Sequence, residues 1–165
     1  MKKLLLFTAI AVFGFGTMNA QQFAIQVNGA LPSGDAADGY SFGAQLSVAY
    51  LFEVAEGVQV GPSAGVFHFF GSDLEVGGFT FEVEDATFVP IGGTGRVMLG
   101  DAFLLGADLG YGLGVAPDGN DGGFYYKPFV GYAVSEAIRI VAGYAGVSVE
   151  GGTFSSINAG VEIGL

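Results

Sequence analysis

The chain has 165 residues, of which 51% are hydrophobic, 14% aromatic and only 13% charged, with thirty glycines and no cysteine. Of its five cations, Lys2 and Lys3 lie at the extreme N-terminus; Arg96, Lys127 and Arg139 remain, and three cations against sixteen acids leave the rest of the chain at −13. That balance excludes a nucleic-acid partner, the missing cysteines exclude disulfides and a thiol-linked lipid anchor, and the scarcity of Lys and Glu excludes the charged outer face of a soluble β-domain.

Lys2 and Lys3 precede an apolar run, Leu4 to Phe15, and the small residue Ala20 closes the segment. This is the pattern of a secretory signal peptide, too short to span a bilayer as a helix. The expected organisation is a signal peptide over 1–20 and one domain over 21–165. Eight alternating segments follow, at 22–31, 40–52, 58–70, 86–99, 103–116, 124–134, 138–148 and 153–165. On the second, Tyr40, Phe42, Ala44, Leu46, Val48, Tyr50 and Phe52 share one face, with Ser41, Gly43, Gln45 and Ser47 on the other. The fifth sets Phe103, Leu105, Leu109, Tyr111 and Leu113 against Gly106, Asp108, Gly110 and Gly112, and the last sets Ile157, Val161, Ile163 and Leu165 against Asn158, Gly160 and Glu162. Period-two alternation with an apolar outside and a small or polar inside predicts a membrane-spanning β-barrel. A ligand-carrying soluble barrel would reverse the faces.

The connections alternate in length. Short turns are expected at 53–57, around Gly100-Asp101 and around Ser135-Glu136; longer acidic or glycine-rich loops are expected at 32–39, 71–85 and 117–123. Tyr40, Tyr50, Phe52, Phe103, Tyr126 and Tyr144 fall near strand ends, where aromatic girdles belong. Pro62, Pro90 and Pro128 cannot donate to a ladder, so bulges or rim positions are expected there.

Register gives a test independent of hydropathy. A two-residue turn at Gly77-Gly78 pairs Val76 with Phe79, Leu74 with Phe81, Val66 with Val89, Ala64 with Ile91 and Val58 with Val97, so one face of a very long ribbon is apolar throughout. A turn at Glu150-Gly151 pairs Ile138 with Ile163, Ile140 with Val161, Ala142 with Ala159 and Tyr144 with Ile157, and sets Arg139 opposite Glu162 on the inner face. A three-residue turn at 100–102 brings Arg96 within diagonal reach of Asp108, and Lys127 is inward by parity. Arg96, Asp108, Lys127, Arg139 and Glu162 therefore form an expected lumen charge network, paired as intramembrane charges must be.

Together, the signal segment, eight strands, acidic loops and final strand Ile157-Asn-Ala-Gly-Val-Glu-Ile-Gly-Leu165 resemble the small outer-membrane β-barrel family, the OmpX-like and OmpA-transmembrane-like barrels. The resemblance spans residues 21–165. It implies an all-β, eight-stranded antiparallel up-and-down transmembrane β-barrel located in the cell outer membrane, in contact with outer-membrane lipid. Members of the family serve as adhesins, defence factors, small pores or structural proteins, so the resemblance leaves the role open.

Chemistry-bearing residues are few. His68, the one histidine, lies on the outer face opposite Thr87; its own face offers neither nucleophile nor orienting acid, so it reads as an interfacial polar residue. No Ser/His/acid constellation is present, and an enzyme is not expected. The lumen network either locks the interior or lines a path, and the lock is favoured because eight strands enclose little more than their own side chains. Glycine leaves inward space that Phe67, Phe69, Tyr125 and Phe129 either fill or leave open as a narrow water-filled passage. The remaining candidate is the tip of the long hairpin, where Leu74, Val76, Phe79 and Phe81 alternate with Asp73, Glu75, Glu82 and Glu84. A hard divalent cation such as calcium would relieve these acids, but they lack calcium-loop spacing, so an ordinary solvated acidic loop is favoured and no metal or cofactor is expected. Its apolar ribbon edge fits addition of a partner's strand. The sequence thus favours a structural or surface-interaction barrel acting through extracellular loops on a protein or surface partner, with a narrow pore for ions or small solutes as the alternative.

Overall fold

A computed structural model describes residues 21–76 and 79–165. The expected signal peptide and the Gly77-Gly78 turn lie outside these residues. The strands are β1 (Gln21–Ser33), β2 (Tyr40–Ala55), β3 (Val58–Gly71), β4 (Leu74–Val76), β5 (Phe79–Phe81), β6 (Ala86–Leu99), β7 (Phe103–Ala116), β8 (Gly123–Ala133), β9 (Ile138–Val149) and β10 (Gly152–Gly164). Eight of them close into one antiparallel barrel in the order β1-β10-β9-β8-β7-β6-β3-β2, and β4 and β5 form a separate two-stranded ribbon beyond its rim. Every barrel strand coincides with an expected alternating segment within three residues at each end.

The expected registers hold. Val58 pairs with Val97, Ala64 with Ile91 and His68 with Thr87; Leu74 pairs with Phe81 and Val76 with Phe79 on the ribbon. In the last hairpin Ile138 meets Ile163, Tyr144 meets Ile157 and Arg139 meets Glu162. The ends are joined by Ile25↔Ile163, Gln26↔Glu162 and Val27↔Val161 between β1 and β10. One-residue slippage anywhere would move a charged or glycine face into lipid, which is why alternation fixes register so tightly.

Two expectations are corrected. The prolines do not sit in bulges, and Pro128 is the middle residue of β8. Pro62, Pro90 and Pro128 each remain paired on one side, with Gly93, Gly112 and Ala107. Each ladder falls silent on the other side, where a donor is missing, and resumes in the same register beyond. The bulges lie at the rims instead, at Tyr40/Phe42, Glu53/Ala55 and Thr87/Phe88. The first of these reverses Tyr40. Parity places it outside with Phe42, but the bulge turns it into the barrel mouth, where its ring meets Phe69 at 5.7 Å and Phe154 at 5.5 Å.

The outer surface carries Val27, Leu31, Leu46, Leu105, Leu109, Val130, Ile140 and Ile157, all exposed. At the short-turn end Phe23, Tyr50 and Phe52 form one ring cluster and Phe103 with Tyr132 another; Phe42 and Phe70 stack at the long-loop end. An apolar belt between aromatic girdles, over a polar interior, is a surface built for hydrocarbon. No helix among the described residues is long and apolar enough to cross a membrane. Leu109 lies at the centre of β7 and is 55% exposed. Leu109→Arg is expected to cost about 2–4 kcal/mol, read from urea unfolding in lipid vesicles against the parent barrel.

Candidate functional site

Inside the barrel the residues separate into two layers. Inward positions near the long-loop end are mostly aromatic or small: Phe67, Phe69, Phe88, Tyr125, Ala30, Ala145 and Val147 form one buried cluster. Phe67 and Phe69, two residues apart on β3, meet at 4.3 Å, and Phe88 meets Phe154 at 4.9 Å. A short 3-10 helix (Gly34–Asp38) caps the mouth by burying Ala36 in the same cluster. Asp35 holds that helix down by accepting the Thr153 backbone N–H at 3.2 Å. The sequence reads this segment only as a loop, since five residues give too short a window for periodicity.

Below the aromatics lies the charge layer, and it gathers all five expected residues. Glu162, fully buried, is its node. Arg139 on the neighbouring strand approaches Oε1 at 3.2 Å, and Arg96 crosses from β6 to reach Oε2 at 2.8 Å. Gln26 of β1 donates to the same Oε2 at 2.6 Å while accepting from Lys127 Nζ at 2.7 Å. Asp108 is directly opposite Lys127 across β7 and β8 and opposite Thr94 across β6 and β7. The expected diagonal from Arg96 to Asp108 is present in register, but Arg96 spends its closest contact on Glu162.

One member of the layer, and the role of another, escape the sequence reading. Gln26 becomes visible only when the barrel is closed, because it faces Glu162 across the β1–β10 seam. Phe129 supplies the floor: Arg96 and Lys127 stand 5.4 Å and 5.7 Å from its ring centre, within cation–π range. Its cross-strand neighbours are both glycines, Gly106 and Gly143. A Cβ on Gly106 would lie 2.5 Å from the Phe129 ring, so glycine there is the condition for the ring to lie flat. A cavity of about 10 Å³ lies between the layers, lined in part by Gln45, Asp108 and Tyr125. Gln45 donates to the Tyr125 hydroxyl at 2.7 Å, leaving Gln45 Oε1 and Asp108 Oδ1 as acceptors beside a space about the size of one water.

The hairpin candidates divide. Leu74, Glu75 and Val76 form β4, and Phe79 and Phe81 lie on β5, so their backbones pair as expected; Asp73, Glu82 and Glu84 are exposed at its base. Among the described residues, no three acidic or histidine side chains converge as metal ligands. His68 requires correction. Its ring is in contact with Thr87 Oγ1 at 2.8 Å through Nδ1 and with Asp85 Oδ2 at 3.4 Å through Nε2. The acid comes from the loop beyond the ribbon, which strand parity does not reach.

Removing one partner of a buried ion pair leaves the others uncompensated, at about 3–5 kcal/mol. Glu162→Ala strands Arg96 and Arg139 together and is expected to fall in that range in urea unfolding from lipid, whereas Asp108→Asn, which removes no ion pair shorter than 4 Å, costs less.

No family model matches the chain, and no curated protein matches it in sequence. Solved structures do match in fold. The Yersinia pestis outer membrane protein Ail, in a phospholipid bilayer nanodisc, superposes with a TM-score of 0.62 at 15% identity, covering 88% of this chain and 100% of Ail. Neisserial surface protein A (NspA) gives 0.51 at 18% identity, over 87% of this chain and 96% of that one. A de novo designed transmembrane β-barrel gives 0.52 at 9% identity, over 90% and 98%. The chain has the fold of the small outer-membrane β-barrels, eight strands up and down around a filled interior.

Proposed function

We propose that the protein is a closed barrel of the outer membrane that acts through its extracellular loops, as a structural or surface-interaction protein. The observation that carries this reading is the two-layer interior. Phe67, Phe69 and Phe88 are fully buried across the lumen above a charge layer whose members bind one another. Side chains committed to mutual contacts in this way support a lock over a conduit. A cavity between the layers is on the scale of a single water.

With the lumen occupied by its own side chains and the belt committed to lipid, the loops are where chemistry is left to act. The β4–β5 ribbon stands apart from the barrel sheet, and each of its strands has an outer edge that no described strand covers. An unpaired edge is a template for a partner's strand: the backbone supplies affinity and alternate side chains supply selectivity. The sequence adds Phe79 and Phe81 on one face of that template. The two named natural neighbours are an outer membrane protein and a surface protein, which accords with a role at the cell surface.

Two measurements test this reading. In planar bilayers the parent barrel is expected to show no steady conductance, and Phe67→Ala combined with Phe69→Ala is expected to open one; steady conductance in the parent would favour the narrow pore. Phe79→Ser with Phe81→Ser is expected to abolish capture of an extracellular protein by the barrel in nanodiscs. The heat-dependent gel shift of the folded barrel should persist in that variant. Undiminished capture would remove the ribbon from the interaction.

A further inference from the structure

The excursion from residue 72 to 85 leaves the barrel after Gly71 and returns at Ala86. Three contacts close its base. The Asp85 carboxylate accepts the Gly71 backbone N–H at Oδ1, at 2.8 Å. Its other oxygen, Oδ2, lies 3.4 Å from His68 Nε2. His68 Nδ1 is 2.8 Å from the Thr87 hydroxyl, across the β3–β6 ladder. One carboxylate thus ties the last residue of β3 to a histidine that is itself tied to β6. The ring is further held by Phe70, which meets it edge-on at 4.5 Å.

We propose that His68 and Asp85 form a proton-operated clamp at the base of the extracellular ribbon. Protonation of His68 tightens it, and loss of the proton loosens it. In the neutral ring, Nε2–H donates to Asp85 and Nδ1 accepts from the Thr87 hydroxyl. In the charged ring both nitrogens donate, Thr87 Oγ1 becomes an acceptor, and the contact with Asp85 becomes an ion pair. Both states keep the ring in place; only the strength of the tie to Asp85 changes.

The surroundings make the assignment specific. His68 is the one histidine in a chain without cysteine, and histidine is the side chain whose ordinary titration falls between pH 5 and 8. Facing it from β2 are Ala44, its direct partner, and Phe42 beyond, neither of which titrates. From β6 it is faced by Thr87, and from its own strand by Phe70. Asp85 is the charged group in contact with the ring among the described residues; Glu84 and Asp73 lie on the same excursion and carry the same sign. A group that gains a carboxylate partner when protonated contributes its extra stability below its titration and loses it as pH rises through it. The charged ring, which meets Asp85 as an ion pair, therefore holds the clamp more tightly than the neutral ring, which meets it only as a hydrogen bond. If the ribbon is the docking element proposed above, its posture on the barrel follows the acidity outside the cell; the clamp itself does not depend on that proposal.

The test is amide hydrogen exchange by NMR on the barrel in nanodiscs, read at Gly71, whose N–H the clamp holds. The protection factor, corrected for intrinsic base catalysis, is expected to be about 2–5-fold higher at pH 5.5 than at pH 8, the range for a half-exposed ion pair. His68→Gln should abolish this pH dependence, and Asp85→Asn should abolish it and lower protection at both pH values. Thr87→Val should retain the pH dependence, because the ion pair survives it. A pH-independent Gly71 in the parent, or an unchanged pH dependence in His68→Gln, overturns the proposal. Gly71 reports the clamp whether or not any partner binds the ribbon, so failure of the docking reading and failure of the clamp are read separately.

Discussion

In hydrocarbon no water is available to satisfy a backbone N–H or C=O, so a strand-built crossing must leave no edge. The pairing of β1 with β10 is what meets that condition here, and the rest of the structure follows from it. Closure forbids slippage, because any shift must propagate around the whole barrel. It also explains the behaviour of the prolines. An open sheet would place Pro62, Pro90 and Pro128 on an edge; a closed one has none, so each gives up pairing on one side while intact pairs above and below hold the register. The irregularities that cost register are confined to the rims.

Closing eight strands also fixes how much room remains inside. The β6–β7 wall contributes little: Gly92 faces Gly110, and Pro90 faces Gly112. The space it leaves is taken by rings from β3 and β8. Phe129, lying against Gly106 and Gly143, shows the exchange most clearly, since the absence of two Cβ atoms admits one aromatic ring, and that ring then faces two cations. Glu162 performs the complementary task on the other side. It collects Arg139 from the adjacent strand, Gln26 from across the closing seam and Arg96 from the far wall, so strands with no shared ladder are joined through one carboxylate. A buried ion pair is poor evidence for net stability but good support for a unique arrangement. In a barrel that uniqueness takes the form of register: slip β10 by one residue and Glu162 points at lipid.

Most of the fold was legible because the physics is periodic. A lipid-facing strand writes itself as alternation, and the hairpins β3–β6 and β9–β10 could be counted out residue by residue from their turns. Arg96, Asp108, Lys127, Arg139 and Glu162 were recoverable as a group for the same reason: a charge in a membrane strand has one place to go. Contacts that local periodicity does not encode were lost. Gln26 needed the closing register, which no turn specifies. Phe129 was visible as an inward ring, but its stack of cations depends on which wall faces which. Tyr40 was placed outside by parity, and one bulged residue reversed it. Asp85 reaches His68 from a loop, where side-chain direction has no period at all.

The distribution of charge joins the architecture to its use. The three cations beyond the N-terminal pair are all inside the barrel, so among the described residues the acids elsewhere have no Lys or Arg beside them. Each long-loop-end segment, at 34–39, 72–85, 117–122 and 150–151, carries at least one acid and no Lys or Arg. An unpaired ribbon edge is a hazard as well as a site, because the best complement to an exposed strand is another copy of itself. The acids Asp73, Glu75, Glu82 and Glu84 work against that outcome. Two copies approaching edge to edge would align like charges, which destabilises a strand pair. The same residues would not repel a neutral strand and would attract a basic one. If the ribbon docks a partner's strand as proposed, the charge that works against pairing with itself also narrows the kind of strand it can accept, and specificity at such an edge is set by what is excluded as much as by what is bound.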